Sequence, residues 1–472
     1  MHTDLIIIGA GPGGYELAAE AARAGKKVVL IEKDQMGGTC LNRGCIPTKC
    51  LLSSASAILT VQKAAEFGID VEFVGTHYNH AVERMRQVVS QLQQGIDSLL
   101  KDVTVVHGEA SFGTIPYVPV EGDHVEAPMA CTLHAEDGAK VRIPIVEVNG
   151  EEYTADQIVI ATGSRPAILP IPGAELAMTS DELLKLDTLP GSIVIIGGGV
   201  IGMEFASILA AFGTQVTVIE YCKEILPPFD SEVAKRLRTT LSRRGVKTIV
   251  GAAVKEIAKG GDDDASLIVT YAGKKGDESI TCEAVLMAVG RAPVVPDGCE
   301  AAGIAIGKRG FIEVDSQMQT TAPGVYAIGD VNGKCMLAHA ASAQGRIAMG
   351  EDVDIEYIPS AVFTIPECAM VGITEDQCKK EEINYATAKS MFAGNGKALA
   401  MGEGEGFVKV LYSPATRMLL GVHVIGPHAS DIVAEATACM TQGVTVDEIA
   451  TAIVHGHPTL SEAFSAACGA AK

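Results

Sequence analysis

Two stretches of this chain share one pattern of apolar and polar positions. The apolar run Asp4 to Ile8 enters GAGPGG, and a second run, Lys27 to Ile31, ends at Glu32. Further along, Ser192 to Ile196 enters GGGVIG, and Gln215 to Ile219 ends at Glu220. Runs that are apolar at nearly every position predict strands buried on both faces, as in a parallel sheet. The glycines between them, Gly9, Gly11 and Gly14 in one copy and Gly197, Gly199 and Gly202 in the other, have GxGxxG spacing. Glu32 follows Gly14 by 18 positions, and Glu220 follows Gly202 by the same 18. The first glycine permits a tight turn, the second lets the backbone approach a pyrophosphate, and the third lets helix and strand pack closely. The phosphates then sit at a helix N-terminus. A carboxylate ending the second strand can accept from a ribose diol and repels a 2′-phosphate, so Glu220 predicts NAD over NADP. The competing reading of both acids is a solvated strand end.

The remaining pattern extends this duplicated architecture. Gly191 to Gly213 is apolar over a membrane-spanning length, but its four central glycines and Glu204 fit a buried strand, a turn and an apolar helix better. ADQIVIATGSRP, Ala155 to Pro166, is echoed by CEAVLMAVGRAP, Cys282 to Pro293, and each would return the chain after one nucleotide-binding unit. Ser111 to Glu152, rich in Val, Pro and Thr, reads as a β-meander covering the sheet, with a surface hairpin in its excess length. From Glu351 onward come short strands such as Phe407 to Leu411 and Gly421 to Ile425, then helices. The expected fold is α/β, with two Rossmann-like dinucleotide-binding domains and a C-terminal α+β domain.

Composition narrows the partners. At 472 residues the chain exceeds what one core usually serves. With Lys+Arg 37 against Asp+Glu 58, the net charge of -21 disfavours nucleic acid and anionic membrane surfaces. Twelve cysteines without a CxxC or a Cys/His cluster suggest a reducing compartment and no metal site. The N-terminus lacks a basic n-region, so a secretory signal and membrane insertion are not expected. A cytoplasmic location is expected, or an organelle matrix if a transit peptide preceded Met1.

The segment GGTCLNRGCIPTK, Gly37 to Lys49, carries the chemistry. A bridge between Cys40 and Cys45 would close only four intervening residues and remove little chain entropy, so redox exchange explains the pair better than stapling. Two unrelated buried thiols are the alternative. CLNRGCIPTK resembles the redox segment of the flavin disulfide reductases, a family that includes lipoamide, glutathione and mercuric reductases.

That resemblance implies the following roles. The first unit binds FAD through Gly9, Gly11, Gly14 and Glu32, with Lys49, Ala110, Thr162, Gly163, Ser164 and Ala338 nearby. Asp330, in TAPGVYAIGD, would bond the ribityl chain. The second unit binds NAD through Gly197, Gly199, Gly202, Glu204 and Glu220, with Val254 and Gly290. Lys49 would approach the flavin's reactive nitrogen while paired with Glu204. In HGHPTLSEAF, His457 would be the acid/base and Glu462 its orienting partner, reaching the disulfide of the other subunit, with His455 a satisfied bystander. Cys40, the more exposed thiol in the family, would be attacked by a substrate thiolate. Cys45 would lie against the flavin and pass electrons to it, and hydride would leave to NAD.

The ending HPTLSE, the lone Cys468 in SAACGAAK and the non-basic Tyr221 and Cys222 after Glu220 most resemble dihydrolipoamide dehydrogenases. The implied protein is an FAD-containing homodimer that oxidises protein-bound dihydrolipoamide with NAD. Its partners would be lipoyl domains and cores of 2-oxoacid dehydrogenase or glycine cleavage complexes. The alternatives are an NADPH-linked disulfide or metal-ion reductase, or a non-catalytic flavin-binding subunit. The expected division is 1–170 for FAD, 171–285 for NAD, 286–350 completing the FAD domain and 351–472 for the dimer interface.

Overall fold

A computed structural model describes residues 1–113, 144–261 and 264–472. The chain forms two compact units. One comprises Met1–Pro47, Met85–Arg165 and Arg291–Val353, and the other Thr48–Arg84, Pro166–Gly290 and Asp354–Lys472.

In the first unit the strands Thr104–His107, Val28–Glu32, His2–Ile8 and Glu151–Ile160 lie side by side in that order, all parallel. Val325–Ala327 also joins Glu151–Ile160 in parallel. The apolar runs explain the arrangement: Leu5, Ile6, Ile7, Leu30, Val159 and Ile160 are at most 1% exposed, as strands covered on both faces must be. Ile145–Val148 pairs antiparallel with the start of Glu151–Ile160 and with Ala110–Gly113. These strands form the two ends of the expected meander. Its middle lies outside the described residues.

The second unit repeats the device and adds two sheets. Lys247–Val250, Gln215–Glu220, Ser192–Ile196 and Ala284–Met287 form a parallel sheet in that order. Three antiparallel strands, Val254–Gly261, Asp264–Gly273 and Gly276–Cys282, pair consecutively. The apolar stretch from Gly191 resolves into the strand Ser192–Ile196 and the helix Val200–Ala211, with Met203 through Leu209 buried. At 12 residues this helix is too short to span a bilayer. Among the described residues, the helical stretch Gly38–Gln62 is long and apolar enough to cross a membrane by length and composition alone, although it is interrupted at Gly44.

The C-terminal part of this unit is a five-stranded antiparallel sheet in the order Ser360–Val362, Glu367–Gly372, Leu419–Gly426, Phe407–Tyr412, Ala386–Met391. Helices Ala429–Thr441 and Glu462–Gly469 supply Ile432, Val433, Ala463 and Phe464 to its core, beside Val408, Val410 and Val424 of the sheet. The fold class is thus α/β with two Rossmann-like domains and a C-terminal α+β domain.

Candidate active site

The two glycine loops are built from the same contacts. Gly9 and Gly197 both have φ of +106°, in the left-handed region that favours glycine. A Cβ at Gly9 would stand 2.4 Å from the Ala161 carbonyl oxygen, and one at Gly197 2.4 Å from that of Ala288. The third glycines are tighter still. A Cβ at Gly14 would lie 1.9 Å from the Gly9 oxygen, and one at Gly202 2.1 Å from the Gly197 oxygen. Around Gly11 and Gly199 a Cβ would meet nothing within 4 Å. Each of these two residues caps a helix, Pro12–Arg23 or Val200–Ala211, without a side-chain bond to the helix amides. Open space in front of uncapped amides suits a pyrophosphate, so both loops fit a dinucleotide.

The two acids are not solvated strand ends. Glu32 is 8% exposed and Glu220 6%. Glu32 accepts from the amides of Ala10 at 2.7 Å and Asp34 at 2.8 Å. Glu220 accepts from Gly198 at 2.5 Å and Cys222 at 2.6 Å. Ala10 and Gly198 each follow the first glycine of their loop, so each carboxylate clamps its loop.

The redox segment starts against the first loop. Gly37 donates its amide to the Ala10 carbonyl at 2.9 Å, and a Cβ on Gly38 would come within 2.8 Å of the Gly11 Cα. This close approach explains the glycine pair in GGTC, since Gly37 and Gly38 both have positive φ. Cys40 then lies in helix Gly38–Arg43, and Cys45 opens helix Cys45–Gln62. Gly44 between them would, with a Cβ, come within 3.3 Å of the Cys40 Cα. Asn42 braces the turn, its amide donating to the carbonyls of Met36 at 3.0 Å and Gly38 at 2.8 Å. Cys45 is exposed and Cys40 half-buried: Cys40 lies within the short helix, whereas Cys45 stands at the start of the next.

A family description, pyridine nucleotide-disulphide oxidoreductase, matches residues 3–345, and the dimerisation domain of the same family matches residues 358–468. The dihydrolipoyl dehydrogenase of Bacillus subtilis (strain 168) is 38% identical over 489 residues, covering 99% of this chain and 98% of the relative. That of Geobacillus stearothermophilus is 38% identical, covering 98% and 94%. Among solved structures, LpdA from Mycobacterium tuberculosis superposes with a TM-score of 0.85 at 27% identity, covering 99% of both chains. The HOCl-induced flavoprotein disulfide reductase RclA from Escherichia coli gives 0.82 at 28%, covering 99% and 100%.

The chain belongs to the pyridine nucleotide-disulphide oxidoreductase family. Like others of that family it is a flavoprotein oxidoreductase that uses FAD and NAD. In the first unit, the Ser164 hydroxyl donates to Asp330, and Arg291 donates to Ser164 from Nε to Oγ and from Nη2 to the carbonyl, both at 2.7 Å. Asp330 lies in the turn Gly329–Asn332, just past the strand Val325–Ala327. Thr162 donates to the Val294 carbonyl at 2.5 Å, and Gly163, at φ +68°, accepts from the Val294 amide. Ala338 begins helix Ala338–Ala348, and Ala110 begins a strand with its side chain buried. In the second unit, Val254 opens a strand and Gly290 has φ of +117°.

Two side-chain pairs, each built on a carboxylate, stand out in the second unit. Lys49 Nζ lies 2.9 Å from both oxygens of Glu204, a residue only 5% exposed. Glu204 also accepts from the Phe363 amide at 2.9 Å, and the Phe363 ring centroid is 4.4 Å from the Lys49 ammonium. His457 Nδ1 is 2.8 Å from Glu462 Oε1, whose other oxygen accepts from the Thr459 amide at 2.8 Å. The Thr459 amide first and His457 second hold the Glu462 carboxyl below its ordinary value. Glu462 is therefore a charged acceptor that orients an exposed imidazole.

Sequence reading missed several neighbours. His455 is paired with Glu435 at 2.6 Å, a partner twenty residues away with no motif of its own. Tyr15 follows the last glycine of the first loop; burial, then Glu16 and Cys40, push its phenol up to about 12. Arg291 was visible only as the basic residue of the second return echo. Among the described residues no group of three or more His, Cys, Asp or Glu could hold a metal.

Proposed function

We propose that this protein oxidises dihydrolipoamide carried on a partner protein to lipoamide and reduces NAD, with Cys40 and Cys45 as its redox pair and His457 and Glu462 as its acid/base pair. The observation that carries this reading is the 2.8 Å bond between His457 and Glu462 in a chain 38% identical to a dihydrolipoyl dehydrogenase over nearly its whole length. Glu462 leaves one imidazole nitrogen facing solvent as a proton acceptor. His457 takes a proton from a substrate thiol, because the thiolate is the attacking form. With Cys40 and Cys45 oxidised to a disulfide, that thiolate attacks the Cys40 sulfur, breaking the bond to Cys45, which leaves as thiolate, and forming a mixed disulfide. The second substrate thiol, deprotonated in turn, displaces Cys40, so the substrate leaves oxidised by two electrons and both protein thiols are reduced. Bound flavin and nicotinamide supply the onward hydride chemistry.

The remaining residues have holding roles in this reading. Gly9, Gly11, Gly14 and Glu32 shape the FAD loop, and Asp330, Ser164, Thr162, Gly163, Ala110 and Ala338 lie along the flavin. Gly197, Gly199, Gly202, Glu220, Val254 and Gly290 hold NAD, and Lys49 with Glu204 sets charge beside the flavin. The division into FAD-binding segments 1–170 and 286–350, an NAD segment 171–285 and an interface segment 351–472 belongs to the same proposal. The matched dimerisation domain supports a homodimer. Lipoyl domains of 2-oxoacid dehydrogenase or glycine cleavage complexes are the proposed partners, in the cytoplasm or an organelle matrix.

Steady-state reduction of NAD by dihydrolipoamide on the FAD-loaded protein tests the proposal, with NADP and glutathione as controls. Turnover with NAD and dihydrolipoamide alone is the expected result. A preference for NADPH, or turnover with another disulfide or a metal ion in place of lipoamide, would favour an NADPH-linked disulfide or metal-ion reductase of the same family.

A further inference from the structure

Sequence reading singled out Lys49 and Glu204 but no third member. The structure supplies one from the start of the dimerisation domain. Directly after the strand Ser360–Val362, the segment Phe363 to Ile365 is fastened to the NAD-binding fold by three bonds. The Phe363 amide donates to Glu204 Oε1 at 2.9 Å, the Ile365 amide donates to Ser207 Oγ at 3.1 Å, and Arg244 donates to the Ile365 carbonyl. Glu204 and Ser207 are three apart on helix Val200–Ala211, so the segment lies along one of its faces.

This fastening places the Phe363 ring beside Lys49. With the ammonium 4.4 Å from the ring centroid and 2.9 Å from both Glu204 oxygens, one cation is held by a carboxylate and a π face. The same residue thus acts twice, through its amide on the carboxylate and through its ring on the cation. Lys49 itself is a flexible side chain, 31% exposed, and an ion pair alone leaves it several ways to reach Glu204. A ring face removes most of them.

We propose that Phe363 is a positioning residue for Lys49, fixing the ammonium where the reduced flavin's charge develops and doing so from the dimerisation domain. The inference rests on the reading that Lys49 stands beside the flavin. A fixed cation there stabilises the reduced, anionic ring, so loosening it makes the bound flavin harder to reduce.

The test compares Phe363→Leu, Phe363→Tyr and Lys49→Gln holoenzymes by flavin midpoint potential, rate of flavin reduction by NADH, FAD content and thermal midpoint. Phe363→Leu keeps the backbone amide and most of the bulk but removes the π face. It is expected to slow reduction about tenfold and to move the potential negative by ~30 mV, the value of a tenfold change for a two-electron couple. Phe363→Tyr is expected to restore both, with FAD content and thermal midpoint unchanged throughout. Equal shifts in Leu and Tyr, or shifts that follow a lowered thermal midpoint, would mean a packing role and overturn the proposal. A shift in Lys49→Gln with none in Phe363→Leu would overturn it while leaving the reading of Lys49 intact. No shift in Lys49→Gln would overturn both.

Discussion

The two nucleotide-binding loops are the same device put to different ends. Their glycines collide with the same backbone atoms if given a Cβ, and their terminal acids clamp the same two amides. They differ two residues past the third glycine, where both carry a glutamate. Glu16 is half-buried and takes only a long bond from the Tyr15 hydroxyl, at 3.3 Å. Glu204 is buried and meets Lys49 and the Phe363 amide. A conserved geometry of phosphate binding therefore says little about the chemistry beyond it. That is decided by what other segments of the chain bring to the first turns of the helix.

The comparison can be broken most severely at the third glycines. Gly14→Ala should abolish FAD retention, because the new Cβ would sit 1.9 Å from a carbonyl oxygen. Gly202→Ala should leave a yellow protein that no longer binds NADH. Flavin absorbance and nucleotide titration separate the two, and loss of both cofactors in both variants would refute the independence of the loops. At the glutamates the contrast should invert. Glu204→Gln removes the charge from a buried pair whose charge-assisted bonds contribute about 1.5–3 kcal/mol each, so flavin reduction by NADH should fall ~10- to 100-fold. Glu16→Gln, at the matching position, should change that rate by less than about twofold. A smaller shift is expected at the acids. Glu220→Arg should turn nucleotide preference toward NADP in kcat/KM, with some loss of NADH affinity because the clamp on Gly198 and Cys222 goes too. Unchanged preference would place ribose recognition elsewhere.

The mildest prediction concerns pH. Lys409, 1% exposed on the sheet of the dimerisation domain, binds Asp230 at 2.9 Å and Glu375 at 2.5 Å. Asp230 caps helix Ser231–Arg243 of the NAD-binding fold, so the cluster ties that helix to the sheet. Lys379 and then Lys409 draw Glu375 down to about 2. Burial, first among its causes, holds His423 below the ordinary imidazole value. Burial opposes the charge of Lys409, but its bonds to Glu375 and Asp230 raise it nonetheless. Depressed groups lend stability above their unfolded pKa and lose it as pH falls, His423 below about 6.5 and Glu375 from about 4.5 toward about 2. Raised Lys409 lends stability below about 10.5 and loses it at higher pH. The thermal midpoint should be flattest between those limits and fall on the acid side first. A midpoint still rising below pH 6 would contradict the assignment.

Much of this was legible because the signals are local. Apolar runs, glycine spacing and the strand-ending acids each sit within thirty residues and obey one rule of backbone sterics, and HPTLSE holds the imidazole and its carboxylate five positions apart. What could not be read came from tertiary pairing. The Phe363 ring over Lys49, Glu435 on His455 and Arg291 on Ser164 join residues whose spacing carries no signal. The clamping by Glu32 and Glu220 was hidden for a related reason: sequence shows an acid at a strand end but not which amides it faces.

The central claim is that His457 serves the thiol substrate and not the flavin. It is tested most directly by His457→Gln, measured both for dihydrolipoamide oxidation and for NADH oxidation by an artificial acceptor. The account predicts a loss of about a hundredfold or more in the first, with the second within about twofold of the parent. Equal losses in both, or an undiminished rate with dihydrolipoamide, would contradict it.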